Sequence, residues 1–132
     1  MNGAENLARW HAYMEGGSDP AVLAEMLAEE AVFHSPVVHT PQAGKAKVMA
    51  YLTAAGHVFG NGTFRYVREL VDDNEMMLEF VAEMDGITVN GVDIIRFGSD
   101  GKIHDFKVMV RPLKAINKIW EMMAAQLEAA QG

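Results

Sequence analysis

Residues 63–110 constrain the fold more than any other part of the chain. Four segments suited to strands, 63–71, 76–84, 87–97 and 102–110, are separated by three turn clusters. The turns are Asp72-Asp73-Asn74, Asp85-Gly86 and Gly98-Ser99-Asp100-Gly101, and Asp-Gly is a strong hairpin signal. Gly91, inside the third segment, reads as a bulge. A four-stranded meander of this kind has to bury one face, and the rest of the chain must supply the cover.

The first third supplies helices. Leu7, Trp10 and Met14 fall on one helical face, and Gly16-Gly17 stops that helix. Ser18 or Asp19 caps a second helix, with Pro20 at its first position. Its apolar side is Leu23, Met26 and Leu27, and Glu25, Glu29 and Glu30 read as its solvated side. Residues 31–38 (AVFHSPVV) read as an early strand whose end is bent by Pro36, and a loop with Pro41 and Gly44 follows. Residues 45–59 are helical by the recurrence of Val48, Tyr51 or Leu52, Ala55 and Phe59. Arg111-Pro112 opens a last helix with Ile116, Trp120, Met123 and Leu127 as its stripe. Strands that run together after helices indicate an α+β domain spanning residues 1–132. One early strand plus a four-stranded meander, curved and wrapped on helices, makes a cone with an internal pocket.

Composition excludes several functions. A chain of 132 residues is one domain and buries enough surface to fold without cross-links. With no cysteine, disulfides, thiol catalysis and Cys-ligated metal are ruled out. The net charge of −7 argues against nucleic acid and against an anionic membrane surface. His11, His57 and His104 are scattered without ligand spacing, so a metal site is not expected, and no cofactor is expected either. No apolar run is long enough for a membrane span, and the N-terminal MNGAENLARW lacks the pattern of a secretory signal, so the expected compartment is cytoplasmic.

Two stretches carry a resemblance. Gly16-Gly17-Ser18-Asp19 leading into the short helix and AVFHSPVV is one, and residues 90–112, NGVDIIRFGSDGKIHDFKVMVRP, are the other. Together with the element order they resemble the nuclear transport factor 2-like (NTF2-like) superfamily, in particular its SnoaL-like and ketosteroid-isomerase-like members. The resemblance implies the cone fold, a homodimer, and a pocket for a small hydrophobic cyclic molecule such as a steroid, polyketide or terpenoid. The isomerase branch carries an oxyanion-hole aspartate in a strand that here reads Asp93-Ile94-Ile95-Arg96-Phe97, followed by Gly101-Lys102-Ile103. Its base loop corresponds to Ser35-Pro36-Val37-Val38 through Gly44, so the base position holds Ser35. The branch's oxyanion tyrosine falls near Trp10.

The candidate catalytic residues are therefore Asp93 and His39. Asp93 interrupts an apolar strand, where desolvation would raise its pKa and let it act as acid or hydrogen-bond donor. It could equally be a structural carboxylate paired with Arg96, Arg111 or a backbone N–H. His39, in the expected mouth loop, could act as base, or be an exposed loop residue. Alternation turns His34 away from the face that carries Phe33 and Ser35. The expected ligand-binding residues are Trp10 and Met14 from the first helix, and Phe33 and Ser35 from the early strand. Tyr51 and Phe59 from the third helix and Leu78, Phe80, Phe106 and Val108 from the meander complete them. Each apolar member could instead be ordinary core, and Ser35 could bond nearby backbone. Three functions are open on this reading. They are a proton-transfer isomerase, cyclase or dehydratase; a non-catalytic binder of a hydrophobic ligand; and a homodimeric interaction module using Met76, Met77 and Val81.

Overall fold

A computed structural model describes residues 2–131 of the chain. The elements are α1 (Gly3–Glu15), α2 (Pro20–Met26), β1 (Leu27–His34), β2 (Gln42–Ala43), α3 (Lys45–Phe59), β3 (Arg65–Val71), β4 (Glu75–Met84), β5 (Ile87–Phe97), β6 (Ile103–Arg111) and α4 (Leu113–Gln131). The strands form one six-stranded sheet in the order β2-β1-β6-β5-β4-β3. β1 runs parallel to β6 and every other pair is antiparallel, so the sheet is mixed, as expected.

Local chemistry sets the helix starts. Asn2 and Glu5 close a capping box on α1, which satisfies two of its free N–H groups. Asp19 caps α2 by accepting the Ala21 N–H at 2.9 Å, with Pro20 following. That second helix is shorter than the sequence suggests. The chain passes straight from Met26 into β1 at Leu27, so Glu29 and Glu30 are exposed residues of a strand rather than of a helix. β1 also stops at His34, before Pro36, whereas the strand was expected to run to residue 38. β2 was not expected at all. Its two residues pair with Val32 and Phe33, which closes the intervening segment as a loop on the edge of the sheet.

The inner face of the sheet is set by alternation. Along β4, Met76, Leu78, Phe80, Ala82 and Met84 are buried, while Met77 and Glu83 are exposed. Met76 is thus core, and of the expected interaction face Met77 and Val81 take the outer parity, Met77 exposed and Val81 half-buried. Along β5, Val89, Gly91, Asp93, Ile95 and Phe97 point inward. One core cluster joins α1, α2 and α3 to the sheet through Trp10, Leu23, Phe33, Leu52, Leu78 and Phe106. A second joins α3 and α4 to it through Val58, Phe80, Val89, Ala115 and Ile119. The buried row of α4 is Ala115, Ile119 and Met123, and Trp120 is 62% exposed. Of the expected stripe, Met123 is buried and Leu127 packs against the same cluster, while Ala115 and Ile119 take the inward places expected for Ile116 and Trp120.

Gly91 is not a bulge: its partners Phe80 and Val110 continue the register on both sides. A Cβ at this position would stand 2.4 Å from Phe80 Cζ and 2.8 Å from the Met109 carbonyl oxygen. The glycine is therefore there for close approach, letting the Phe80 ring lie over the strand. Gly91→Ala is expected to lower stability by roughly 1–3 kcal/mol through overpacking. Urea unfolding checks this, and an unchanged midpoint would count against the close-packing of Phe80 on the strand.

Candidate functional site

The sheet and helices enclose a cavity of about 970 Å³ that opens to solvent on one side. That is at the upper end of the range usual for small-molecule sites, large enough for a ligand of several fused rings. Trp10 and Met14 come from α1, Phe33 from β1, Phe59 from α3, Phe80 from β4, and Phe106 and Val108 from β6. In this apolar wall sits Asp93, on β5 opposite Leu78 and Val108 and only 7% exposed.

Asp93 is bonded to a tyrosine. The Tyr66 hydroxyl donates to Asp93 Oδ2 at 2.6 Å, and the Trp10 Nε1–H donates to the Tyr66 oxygen at 2.9 Å. Neither Arg96 nor Arg111 reaches the carboxyl. Arg96 is exposed on the opposite side of β5, and Arg111 donates to Asn90 Oδ1 at 2.9 Å. Burial pushes the Asp93 pKa up to about 7, with the Tyr66 hydrogen bond holding it back. Burial also raises Tyr66 well above the usual phenol value, and the neighbouring Asp93 charge adds to that. The tyrosine therefore keeps its proton near neutrality, and the aspartate is the group poised to change state.

Asp93, Trp10, Met14, Phe33, Phe59, Phe80, Phe106 and Val108 all border the cavity. Four other expected positions do not. The Ser35 hydroxyl accepts the Val37 N–H at 3.1 Å, in a local turn before β2. Tyr51 stacks on Phe33, ring centroids 5.4 Å apart, behind the wall. Leu78 is fully covered by the core. His39 is exposed in the loop that the β1–β2 pairing holds at the sheet edge. His34 is turned away, with its Nε2 2.9 Å from Asp105 Oδ1.

Several polar wall residues were not anticipated, Tyr66, His11 and Glu69 among them, and Tyr13, Glu15, Ser18, His57, Arg65 and Arg68 also border the cavity. Alternation along β3 offered a signal for Tyr66, since Phe64 and Tyr66 share a parity with an apolar character. His11 had none, because its partner Glu69 is 58 residues away. Among the described residues no cluster of potential metal ligands occurs, and no helix is long and apolar enough to cross a membrane.

The chain matches the family described as the SnoaL-like domain over residues 7–106. Among solved structures it is similar to a steroid delta-isomerase from Pseudomonas aeruginosa, at 37% identity and a TM-score of 0.89, covering 97% of this chain and 93% of that one. It is also similar to an uncharacterised bacterial protein with a cystatin-like fold from Silicibacter pomeroyi DSS-3, at 30% identity and a TM-score of 0.82, covering 92% and 84%. A third likeness is to an NTF2-like protein of unknown function from Mesorhizobium loti, at 26% identity and a TM-score of 0.70, covering 83% and 90%. No curated protein matches the chain in sequence. The order of strands, the pocket and these likenesses agree: the chain belongs to the SnoaL-like domain family and has the NTF2-like fold.

Proposed function

We propose that the protein binds a small hydrophobic cyclic ketone and acts on it by proton transfer, as an isomerase of the ketosteroid kind. The observation that carries this reading is the proton count of the Trp10–Tyr66–Asp93 chain. The Trp10 N–H is taken up by Tyr66, and one proton is taken up between Tyr66 and Asp93. With Asp93 protonated, one O–H remains, on either the carboxyl or the phenol, and both groups border the cavity. With Asp93 ionised, no proton remains, and the carboxylate repels a carbonyl oxygen. In ketosteroid isomerase a carboxylic acid kept neutral by its apolar site donates to the substrate oxygen, so a group of this kind can serve catalysis. The 37% identity to a steroid delta-isomerase supports the same class of ligand.

A non-catalytic binder is the second reading. It is favoured by Ser35, which stands at the base position of the isomerase branch and leaves that position without a carboxylate. Both readings require the same donor, and turnover of an unsaturated ketone separates them.

The aspartate can be tested through binding and through stability. A saturated ketosteroid, which binds but cannot be isomerised, should lose at least about tenfold in affinity between pH 6 and pH 9, because only protonated Asp93 leaves a donor free. Asp93→Asn keeps an N–H donor at all pH values and should flatten the profile, whereas Asp93→Ala should weaken binding about tenfold at pH 6. Calorimetric titration reads both, and a flat wild-type profile would remove the proposed donor. For stability, the folded-state pKa of about 7 lies above the ordinary 3.8, so the folded protein holds this proton where the unfolded chain has lost it. This group's effect is absent below about pH 4 and costs stability as pH rises to about 7, after which it is constant. Relative to Asp93→Asn, the wild type should therefore lose on the order of a few kcal/mol across that window, measured by urea unfolding at stepped pH.

A further inference from the structure

The register of β3 places a second polar pair on the cavity wall. Tyr66 pairs with Phe80 and Arg68 with Glu79, so β3 carries one residue more than β4 at this point. In a regular strand, residues three apart face opposite sides. The extra residue brings Tyr66 and Glu69 to the same inner side, and bulges re-aim side chains in this way beside functional sites. Glu69 lies opposite Leu78, and Leu78 lies opposite Asp93. The two acidic residues thus share one row across three strands, their Cα atoms roughly 10 Å apart at ordinary strand spacing. Glu69 Oε2 is 2.5 Å from His11 Nε2, and the His11 ring centroid is 6.3 Å from that of Tyr66. The side chains of His11 and Glu69 are 35% and 29% exposed and both border the cavity, toward its open side. The buried donor at Asp93 therefore faces a half-exposed carboxylate held by an imidazole.

We propose that Glu69, held in place by His11, is the proton-accepting group of this cavity, in place of a base at Ser35. The inference rests on the proton-transfer reading above. The Glu69 carboxylate removes a proton from the carbon between the carbonyl and the double bond of a β,γ-unsaturated ketone. The C–H electron pair forms the dienolate, whose oxygen takes the hydrogen bond from the Asp93–Tyr66 pair. The new O–H of Glu69 returns its proton to the γ carbon, the double bond moves into conjugation, and the carboxylate is restored. No other reactant is needed. His11 is a positioning residue. Ser35 is bonded to its own turn and His39 lies on the sheet edge, while Glu15 and His57 border the cavity but are exposed and, among the described residues, have no side-chain partner to fix them as His11 fixes Glu69.

The experiment is conversion of a β,γ-unsaturated ketosteroid to its conjugated enone, followed by ultraviolet absorbance. Glu69→Gln should lower kcat by at least about 100-fold with KM within about threefold, the loss expected for a general base. Its unchanged affinity for a saturated ketosteroid shows that the cavity is intact. Glu69→Asp keeps the carboxylate but retracts it, and should fall between wild type and Glu69→Gln. His11→Gln retains an N–H donor toward Glu69 and should keep more of kcat than His11→Leu. A Glu69→Gln protein with wild-type kcat overturns the inference, and if Asp93→Ala still loses the rate, the donor reading survives alone. A wild-type protein that neither converts the ketone nor exchanges its α-proton in deuterium oxide also overturns it. Asp93-dependent binding would then leave the hydrophobic pocket standing as a binder.

Discussion

A carboxyl buried in an apolar wall is the constraint on which the site depends. Asp93 is one of two buried polar side chains among the described residues, and no cation neutralises it. A lone buried carboxylate is costly, so the group either keeps its proton or finds donors. Here it does both: burial raises its pKa, and Tyr66 supplies the hydrogen bond. Tyr66 is in turn fixed by Trp10, so α1, β3 and β5 are tied together at the cavity. Packing around this chain is aromatic. Trp10 lies 5.3 Å from Phe106 between ring centroids, and Phe106 lies 6.0 Å from Phe33. These rings exclude water on one side and shape the space on the other.

The sheet positions that chain. Its inner face is kept apolar by strict alternation along β4 and β5, and Asp93 is the one charged type to fall on the inner parity of β5. Gly91, two residues before, clears space for Phe80, which helps to wall the cavity. The irregularity in β3 acts in the opposite sense. By adding one residue it lets Glu69 join Tyr66 on the inner side, and it opens the sheet to a polar group near the mouth. Regular alternation makes the apolar wall, and its local failure makes the wall polar at a chosen point.

Much of the fold was legible because its signals are local. The meander follows from turn residues and period-two alternation, and α3 follows from its 45–59 periodicity. The parts that were not legible depend on distant contacts. β2 exists only because β1 lies beside it, and the α2–β1 junction passes through apolar residues that suit either state. The facing of α4 depended on whether Ala115 or Ile116 meets the sheet. In the site, Asp93 could be found because it breaks an apolar strand. Tyr66 as its partner could not, since their separation of 27 residues carries no motif. Glu69 was hidden because a bulge inverts the parity on which a sequence argument relies. Ser35 and His39 were carried by resemblance to a loop that, in this chain, is pinned to the edge of the sheet.

The site depends on Asp93 holding its proton far above the ordinary carboxylate range, up to about pH 7. The most direct measurement is the carboxyl carbon chemical shift of Asp93, followed by NMR across the pH range and assigned by its loss in Asp93→Asn. A buried, tyrosine-bonded carboxyl should titrate with a midpoint of about 7. A midpoint near the ordinary carboxylate value of about 4 would contradict the claim, because the cavity would then hold a charge and no free donor.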